Sequence, residues 1–125
     1  MAARRILVID DSPTLRKVIV FYLSRLGYEV KESSNGRSGL ETMESSHFDL
    51  LILDMNMPVM NGSQVLEQLA QEQKFETPIL ILSADKEDQS IANGIHMGAS
   101  YYMTKPFKPE ELVQKINLIF DETNK

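Results

Sequence analysis

The chain has 125 residues, which fits one domain of ordinary size, and its 42% hydrophobic and 25% charged residues are typical of a soluble globule. A net charge of −5 argues against a general nucleic-acid binder, because binding to phosphate backbones requires clustered lysine and arginine. The chain has no cysteine and no apolar run near the roughly 20 residues of a membrane span. We therefore expect a single cytoplasmic domain over residues 1–125, without direct binding to a membrane or to nucleic acid.

The first part of the chain alternates strand and helix signals. Residues 6–9 form an apolar, β-branched run that is typical of a strand buried on both faces. The Ser-Pro pair at 12–13 predicts a helix start, and Gly27 is placed to end that helix. A second strand is predicted over residues 28–32, and the Asn-Gly pair at 35–36 leads into a second helix. The apolar positions of the first helix that recur at helical spacing are Leu15, Val18, Ile19, Tyr22 and Leu26.

The alternation continues to the end of the chain. Residues 49–53 predict a third strand, and because positions 50–53 are all apolar this strand is expected to be central. Residues 55–60 are expected to be irregular because Pro58 restricts its neighbour. The Asn-Gly pair at 61–62 precedes a third helix. The remaining predicted elements are a strand over residues 79–82, a polar helix over 85–96, a short strand ending near Met103 and a last helix from Pro109.

Five strand–helix repeats predict an α/β fold with a parallel sheet, helices on both faces and right-handed crossovers. Polar residues follow the predicted strands, and in such sheets the binding site lies beyond the carboxyl ends of the strands. Three carboxylates among them would repel one another, so the arrangement requires a divalent metal. The residues that we expect at this edge are Asp10, Asp11, Asp54, Ser83 and Lys105.

Taken singly, each of these residues has an ordinary structural explanation. Asp54 alone is a strand-end turn residue, the Asp pair at 10–11 caps the first helix, and Ser83 caps the next one. Lys105 alone is a solvated turn lysine. The combination, in this order and at the ends of four strands, is what favours a shared reactive site.

The sequence resembles a known family at four places. These are Asp10-Asp11, Asp54 within Asp-Met-Asn-Met-Pro-Val-Met-Asn-Gly, Ser83-Ala84 and Lys105-Pro106-Phe107. Together they resemble the signature of two-component response-regulator receiver domains, and the resemblance spans essentially the whole chain. It implies a doubly wound, flavodoxin-like sheet with strand order 2-1-3-4-5 and a single-domain protein of the chemotaxis-regulator type.

The resemblance also implies the chemistry of the site. Asp54 would accept a phosphoryl group from a sensor histidine kinase or a phosphotransfer protein, because a carboxylate can hold phosphorus as an acyl phosphate. Mg²⁺ would be held by Asp10, Asp11, Asp54 and the backbone carbonyl of Asn56, a set of oxygen ligands that suits this ion. We thus expect a phosphoacceptor that depends on magnesium.

Four further positions take expected roles from the resemblance. Lys105 would place a cation, and Ser83 a hydroxyl donor, against phosphoryl oxygens. Tyr102 matches the aromatic residue that turns inward on activation, although an ordinary half-buried tyrosine would look the same. The Lys105-Pro106 peptide matches a cis bond, which is inexpensive only before proline. Gly62 is expected at a turn position that only glycine fits comfortably.

The function implied is signalling, since such a domain catalyses only its own phosphorylation and dephosphorylation. A downstream protein would dock on the face formed by the predicted fourth helix, the fifth strand and the last helix. Only residues 121–125 follow the last apolar position of that helix, so direct DNA binding is not expected. A receiver fragment of a longer regulator, such as a transcription factor, would show the same sequence.

Two other classes of protein share the predicted sheet. Dehalogenase-type phosphatases also form an aspartyl phosphate, but their acids follow the first strand as Asp-x-Asp, whereas here the Asp pair at 10–11 is adjacent and the candidate nucleophile ends the third strand. A flavin- or nucleotide-binding module would need a phosphate loop rich in small residues after the first strand, where two aspartates stand instead.

Overall fold

The computed structural model describes residues 3–57, 60–71, 77–84 and 101–123. Within these residues five parallel strands form one sheet in the order β2-β1-β3-β4-β5. The fold class and the strand order expected from the sequence are thereby confirmed. The strands are β1 (Arg5–Ile9), β2 (Glu29–Ser33), β3 (Leu50–Asp54), β4 (Ile79–Ser83) and β5 (Tyr101–Thr104).

Four helices are described, and the last of them is the fifth helix that the sequence predicts. The predicted helix over residues 85–96 lies outside the described residues. No described helix is both long enough and apolar enough to cross a bilayer. The helices are α1 (Pro13–Arg25), α2 (Gly36–Ser45), α3 (Gly62–Gln71) and α4 (Pro109–Thr123).

The core consists of two apolar layers, one on each face of the sheet. Successive side chains of a strand point to opposite faces, so Leu7 of β1 packs with α2 and α3 while its neighbour Val8 packs with α1 and α4. Every residue of β3 and β4 is buried. Burial on both faces is the physical reason why the inner strands are continuous apolar runs rather than alternating ones.

Helix α1 begins and ends as the sequence predicts. The Ser12 hydroxyl accepts a hydrogen bond from the Leu15 N–H at 3.2 Å, and Pro13 is the first helical residue. Gly27 follows the helix with a φ of 94°, a left-handed conformation that a residue with a Cβ adopts only at a cost. The two ends of α1 are therefore set by local sequence.

The buried face of α1 does not coincide with the set of apolar positions that recur at helical spacing. Ile19 and Leu23 are fully buried, whereas Tyr22 and Leu26 are exposed. At about 100° per residue, Tyr22 lies roughly 100° from Leu23 and is turned away from the sheet towards solvent. Leu26 is the C-cap residue and lies beyond Arg25, the last residue of the helix. Helical spacing thus identifies an apolar stripe but does not fix which edge of it faces the core.

Candidate functional site

Polar side chains from four segments meet at the carboxyl end of the sheet. Asp10 directly follows β1 and is fully buried, and its neighbour Asp11 is exposed. Asp54 and Ser83 are the last residues of β3 and β4, and both are buried. Lys105 directly follows β5. The predicted convergence of these residues at one edge is thus observed.

The three carboxylates and Lys105 form a compact cluster. One carboxylate oxygen from each of Asp10, Asp11 and Asp54 lies within 4.8 Å of those of the other two. The Lys105 ammonium lies 3.1 Å from Asp10 Oδ2 and 3.2 Å from Asp54 Oδ1. With all four groups ionised, three negative charges and one positive charge give the cluster a net negative charge equal in size to the charge of one divalent cation.

Burial raises the pKa of the Asp54 carboxyl from 3.8 to about 6, because the charged form loses its hydration. The hydrogen bond that the Asn56 N–H donates to Asp54 Oδ1 at 3.1 Å opposes this shift. The negative charge of Asp10 adds to the shift, whereas Lys105 opposes it through its charge and its hydrogen bond. The carboxyl at the end of β3 therefore stands in an environment that disfavours its own negative charge.

Hydrogen bonds fix the loop between β1 and α1. Asp10 donates its N–H to the Ser33 carbonyl at 3.2 Å, and its Oδ1 accepts from the Ser12 N–H at 2.9 Å. The Asp10 carbonyl accepts from Arg16 Nη1 at 2.6 Å. Sequence reasoning did not single out Arg16, whose only signal is a basic residue within the first two turns of the helix that follows the aspartates.

Gly62 is required by a close backbone approach rather than by a turn conformation. It is the first residue of α3, and its N–H donates to the Met55 carbonyl at 3.2 Å. A Cβ at this position would lie 2.7 Å from Met55 Cα and 2.8 Å from the Asp54 carbonyl oxygen. The expected turn role is therefore corrected: the start of α3 lies against the backbone at the end of β3, where only a hydrogen fits.

The ends of β4 and β5 are joined beside the cluster. The Lys105 N–H donates to the Ser83 carbonyl at 2.7 Å, and the Lys105-Pro106 peptide is cis, as the resemblance implies. Tyr102, on β5, is 47% exposed and lines a groove against α4. The structure therefore brings Asp10, Asp11, Asp54 and Lys105 into direct proximity, with Ser83 at the same edge and the ring of Tyr102 facing outward.

The response regulator receiver domain model matches residues 6–117, and the chain therefore belongs to the family of response regulator receiver domains. As such it is a signalling domain of two-component systems, a class that interacts with histidine kinases and with downstream effectors. This membership decides against the phosphatase and the flavin-binding alternatives.

Similar proteins include both transcriptional regulators and chemotaxis proteins. The alkaline phosphatase synthesis transcriptional regulatory protein PhoP of Bacillus subtilis is 38% identical over 116 residues, which are 93% of this chain and 48% of PhoP. The chain thus spans about half the length of the curated relatives it matches.

Two receiver structures agree with this fold along nearly their whole length. The chemotaxis protein CheY4 of Vibrio cholerae is 34% identical, with a TM-score of 0.88 over 94% of this chain and 99% of that one. A CheY-like receiver domain protein of Methanospirillum hungatei is 27% identical, with a TM-score of 0.91 over 98% of this chain and 97% of that one.

Proposed function

We propose that Asp54 accepts a phosphoryl group from the phosphohistidine of a sensor histidine kinase or phosphotransfer protein, in a reaction that requires Mg²⁺. The observation that carries this proposal is the buried Asp54 carboxylate, which shares a cluster with two other aspartates and stands 3.2 Å from the Lys105 ammonium. Family membership supports the reaction class, and the cluster supports the choice of residue.

The donor set fits a hard divalent cation. Carboxylate oxygens are the ligands that Mg²⁺ takes in phosphoryl-transfer sites, and the residual charge of the cluster matches its own. Asp10, Asp11, Asp54 and the backbone carbonyl of Asn56 would hold the ion. When bound, it supplies positive charge that relieves the repulsion between the aspartates and attracts phosphoryl oxygens.

The chain's own residues perform the transfer. An oxygen of Asp54 forms a bond to phosphorus as the phosphorus–nitrogen bond of the phosphohistidine breaks, and the departing imidazole nitrogen keeps the electron pair. Lys105 neutralises charge that develops on the transferred oxygens, and the Ser83 hydroxyl donates a hydrogen bond to one of them. Such catalysis consists mainly of positioning and charge compensation.

The same contacts convert phosphorylation into a signal. The Lys105 N–H donates a hydrogen bond to the Ser83 carbonyl, so the ends of β4 and β5 are linked. A phosphoryl group that contacts the side chains of both residues therefore affects both strand ends together. We propose that Tyr102 responds by turning inward, which biases a two-state surface. This domain is proposed to catalyse only its own phosphorylation and dephosphorylation.

The proposed docking surface for the downstream protein includes the groove between β5 and α4. Tyr102 and Leu118 are among the exposed large hydrophobic residues and both line this groove, whereas Glu111 and Lys115 give it charges of both signs. An apolar pair among charged residues is typical of a protein-binding patch. The predicted helix over residues 85–96 would complete the face and lies outside the described residues.

Two settings for the whole protein are proposed, both in the cytoplasm, where ATP-dependent kinases load the phosphodonor. The first is a single-domain regulator of the chemotaxis type, supported by the coverage of 99% of the Vibrio cholerae protein. The alternative is the receiver part of a longer transcription factor, supported by the 48% coverage of PhoP. The mass of the native polypeptide in cell extracts distinguishes the two.

Incubation with acetyl phosphate and Mg²⁺, followed by intact-mass spectrometry, tests the phosphoacceptor. We expect one labile phosphoryl group on the wild type, none on Asp54→Asn, and wild-type labelling of Asp121→Asn, which changes an exposed carboxylate of α4. Asp11→Ala should weaken Mg²⁺ binding sharply, as measured by calorimetry. Equal labelling of Asp54→Asn would refute Asp54 as the acceptor.

A further inference from the structure

The peptide group between Asp10 and Asp11 determines how these two carboxylates are presented. A peptide unit is planar, so a group that holds its carbonyl restricts the positions of the two Cα atoms from which both side chains leave the backbone. Asp10 and Asp11 are neighbours in the acidic cluster. Any group that holds the Asp10 carbonyl therefore acts on two of the three carboxylates at once.

Arg16 holds this carbonyl and ties it to a second strand. Its Nη1 donates to the Asp10 carbonyl oxygen at 2.6 Å, and its Nε donates to Glu32 Oε1 on β2 at 2.9 Å. The Arg16 side chain is only 14% exposed, whereas the Glu32 side chain is 44% exposed. A guanidinium is a rigid, planar fork, so one donor placed on the carboxylate restricts the direction of the other.

We propose that Arg16 is a positioning residue for the cation site: its guanidinium anchors the Asp10–Asp11 peptide to β2 and keeps the two carboxylates at the separation that a divalent ion requires. This inference rests on the proposed function and adds a residue to it. Replacing a group that orients metal ligands without touching the metal typically weakens metal binding about 10- to 100-fold.

Electrostatics alone makes the opposite prediction. Arg16 is a cation near an acidic cluster, so its removal lowers the local positive potential and should strengthen the binding of Mg²⁺. If Arg16 acts by orienting the Asp10–Asp11 peptide, its removal should weaken that binding. The sign of the change therefore separates positioning from a simple charge effect.

The experiment titrates the full chain with MgCl₂ by isothermal titration calorimetry. Arg16→Met keeps the aliphatic stem and removes both hydrogen bonds, and Arg16→Lys keeps the charge but cannot span both acceptors. Lys17→Met is the matched control, because Lys17 is an exposed cation of the same helix and its replacement changes the net charge equally. Thermal unfolding in EDTA reports the stability of each metal-free variant separately.

We expect the Mg²⁺ dissociation constant to rise about tenfold in Arg16→Met. It should also rise in Arg16→Lys and stay unchanged or fall slightly in Lys17→Met. Arg16→Lys decides the question if Arg16→Met does not fold. Wild-type or tighter binding by a folded Arg16 variant would overturn the inference while the proposed function stands. A wild type that binds no Mg²⁺ at millimolar concentration would overturn both.

Discussion

Replacing the buried Asp54 by asparagine is expected to stabilise the metal-free protein at neutral pH. Asp54 is 2% exposed, and its carboxylate loses hydration that Lys105 and the Asn56 N–H only partly replace. Asparagine has nearly the same shape, carries no charge and retains an oxygen that can accept a hydrogen bond. The substitution therefore removes an unfavourable charge without creating a cavity.

The magnitude follows from the pKa of this group. Folding raises it from 3.8 to about 6, and one pKa unit corresponds to about 1.4 kcal/mol, so the ionised carboxylate costs on the order of 3 kcal/mol of folding free energy above pH 6. Because the folded state binds the proton more tightly, the contribution of Asp54 is most favourable below pH 3.8. It is lost as the pH rises through about 6.

Urea unfolding in EDTA, followed by far-UV circular dichroism between pH 4 and pH 7.5, measures this effect. In the wild type, the contribution of Asp54 to the free energy of unfolding should fall as the pH rises. Asp54→Asn should lack this part of the pH dependence and should be more stable than the wild type at pH 7.5. Asp121→Asn serves as the control for the loss of one negative charge, because Asp121 is exposed on α4.

Addition of Mg²⁺ should stabilise the wild type and narrow its difference from Asp54→Asn, since binding to the folded state adds free energy by mass action. An asparagine variant with wild-type or lower stability at pH 7.5 in EDTA would refute the reasoning. So would an unchanged dependence of its unfolding free energy on pH between 4 and 6.

Three further changes test other parts of the structure. Lys105→Ala should slow labelling of Asp54 by acetyl phosphate roughly a hundredfold. The phosphorylated variant should also fail to bind its partner in a pull-down, and binding at the wild-type level would contradict this role of Lys105. Gly62→Ala should destabilise by about 3 kcal/mol in urea unfolding, because its Cβ would meet backbone at 2.7 Å, and a wild-type midpoint would disprove the close approach. Leu23→Ala should cost about 2–5 kcal/mol and Leu26→Ala less than about 1, and equal losses would contradict the buried face of α1.

Local sequence was sufficient for the elements whose signals are carried by neighbouring residues. Ser12 and Pro13 fix the start of α1, and the continuous apolar runs at 50–53 and 79–82 predict inner strands because both of their faces are buried. The observed ends of these two strands lie one residue beyond the predicted ends, because strand pairing extends β3 to Asp54 and β4 to Ser83. Pairing of this kind depends on a neighbouring strand that the local sequence does not contain.

For the site, the order of the polar residues along the chain placed Asp10, Asp11, Asp54 and Lys105 at one edge, because parallel strands bring their carboxyl ends together. The sequence by itself thus determined the fold class and this convergence. The tertiary structure alone decided that Lys105 reaches Asp10 across 95 positions of sequence, that Arg16 bonds the Asp10 carbonyl, and that burial raises the pKa of Asp54. Each of these depends on distances of a few ångströms and on the exclusion of water, which arise only when distant segments pack together.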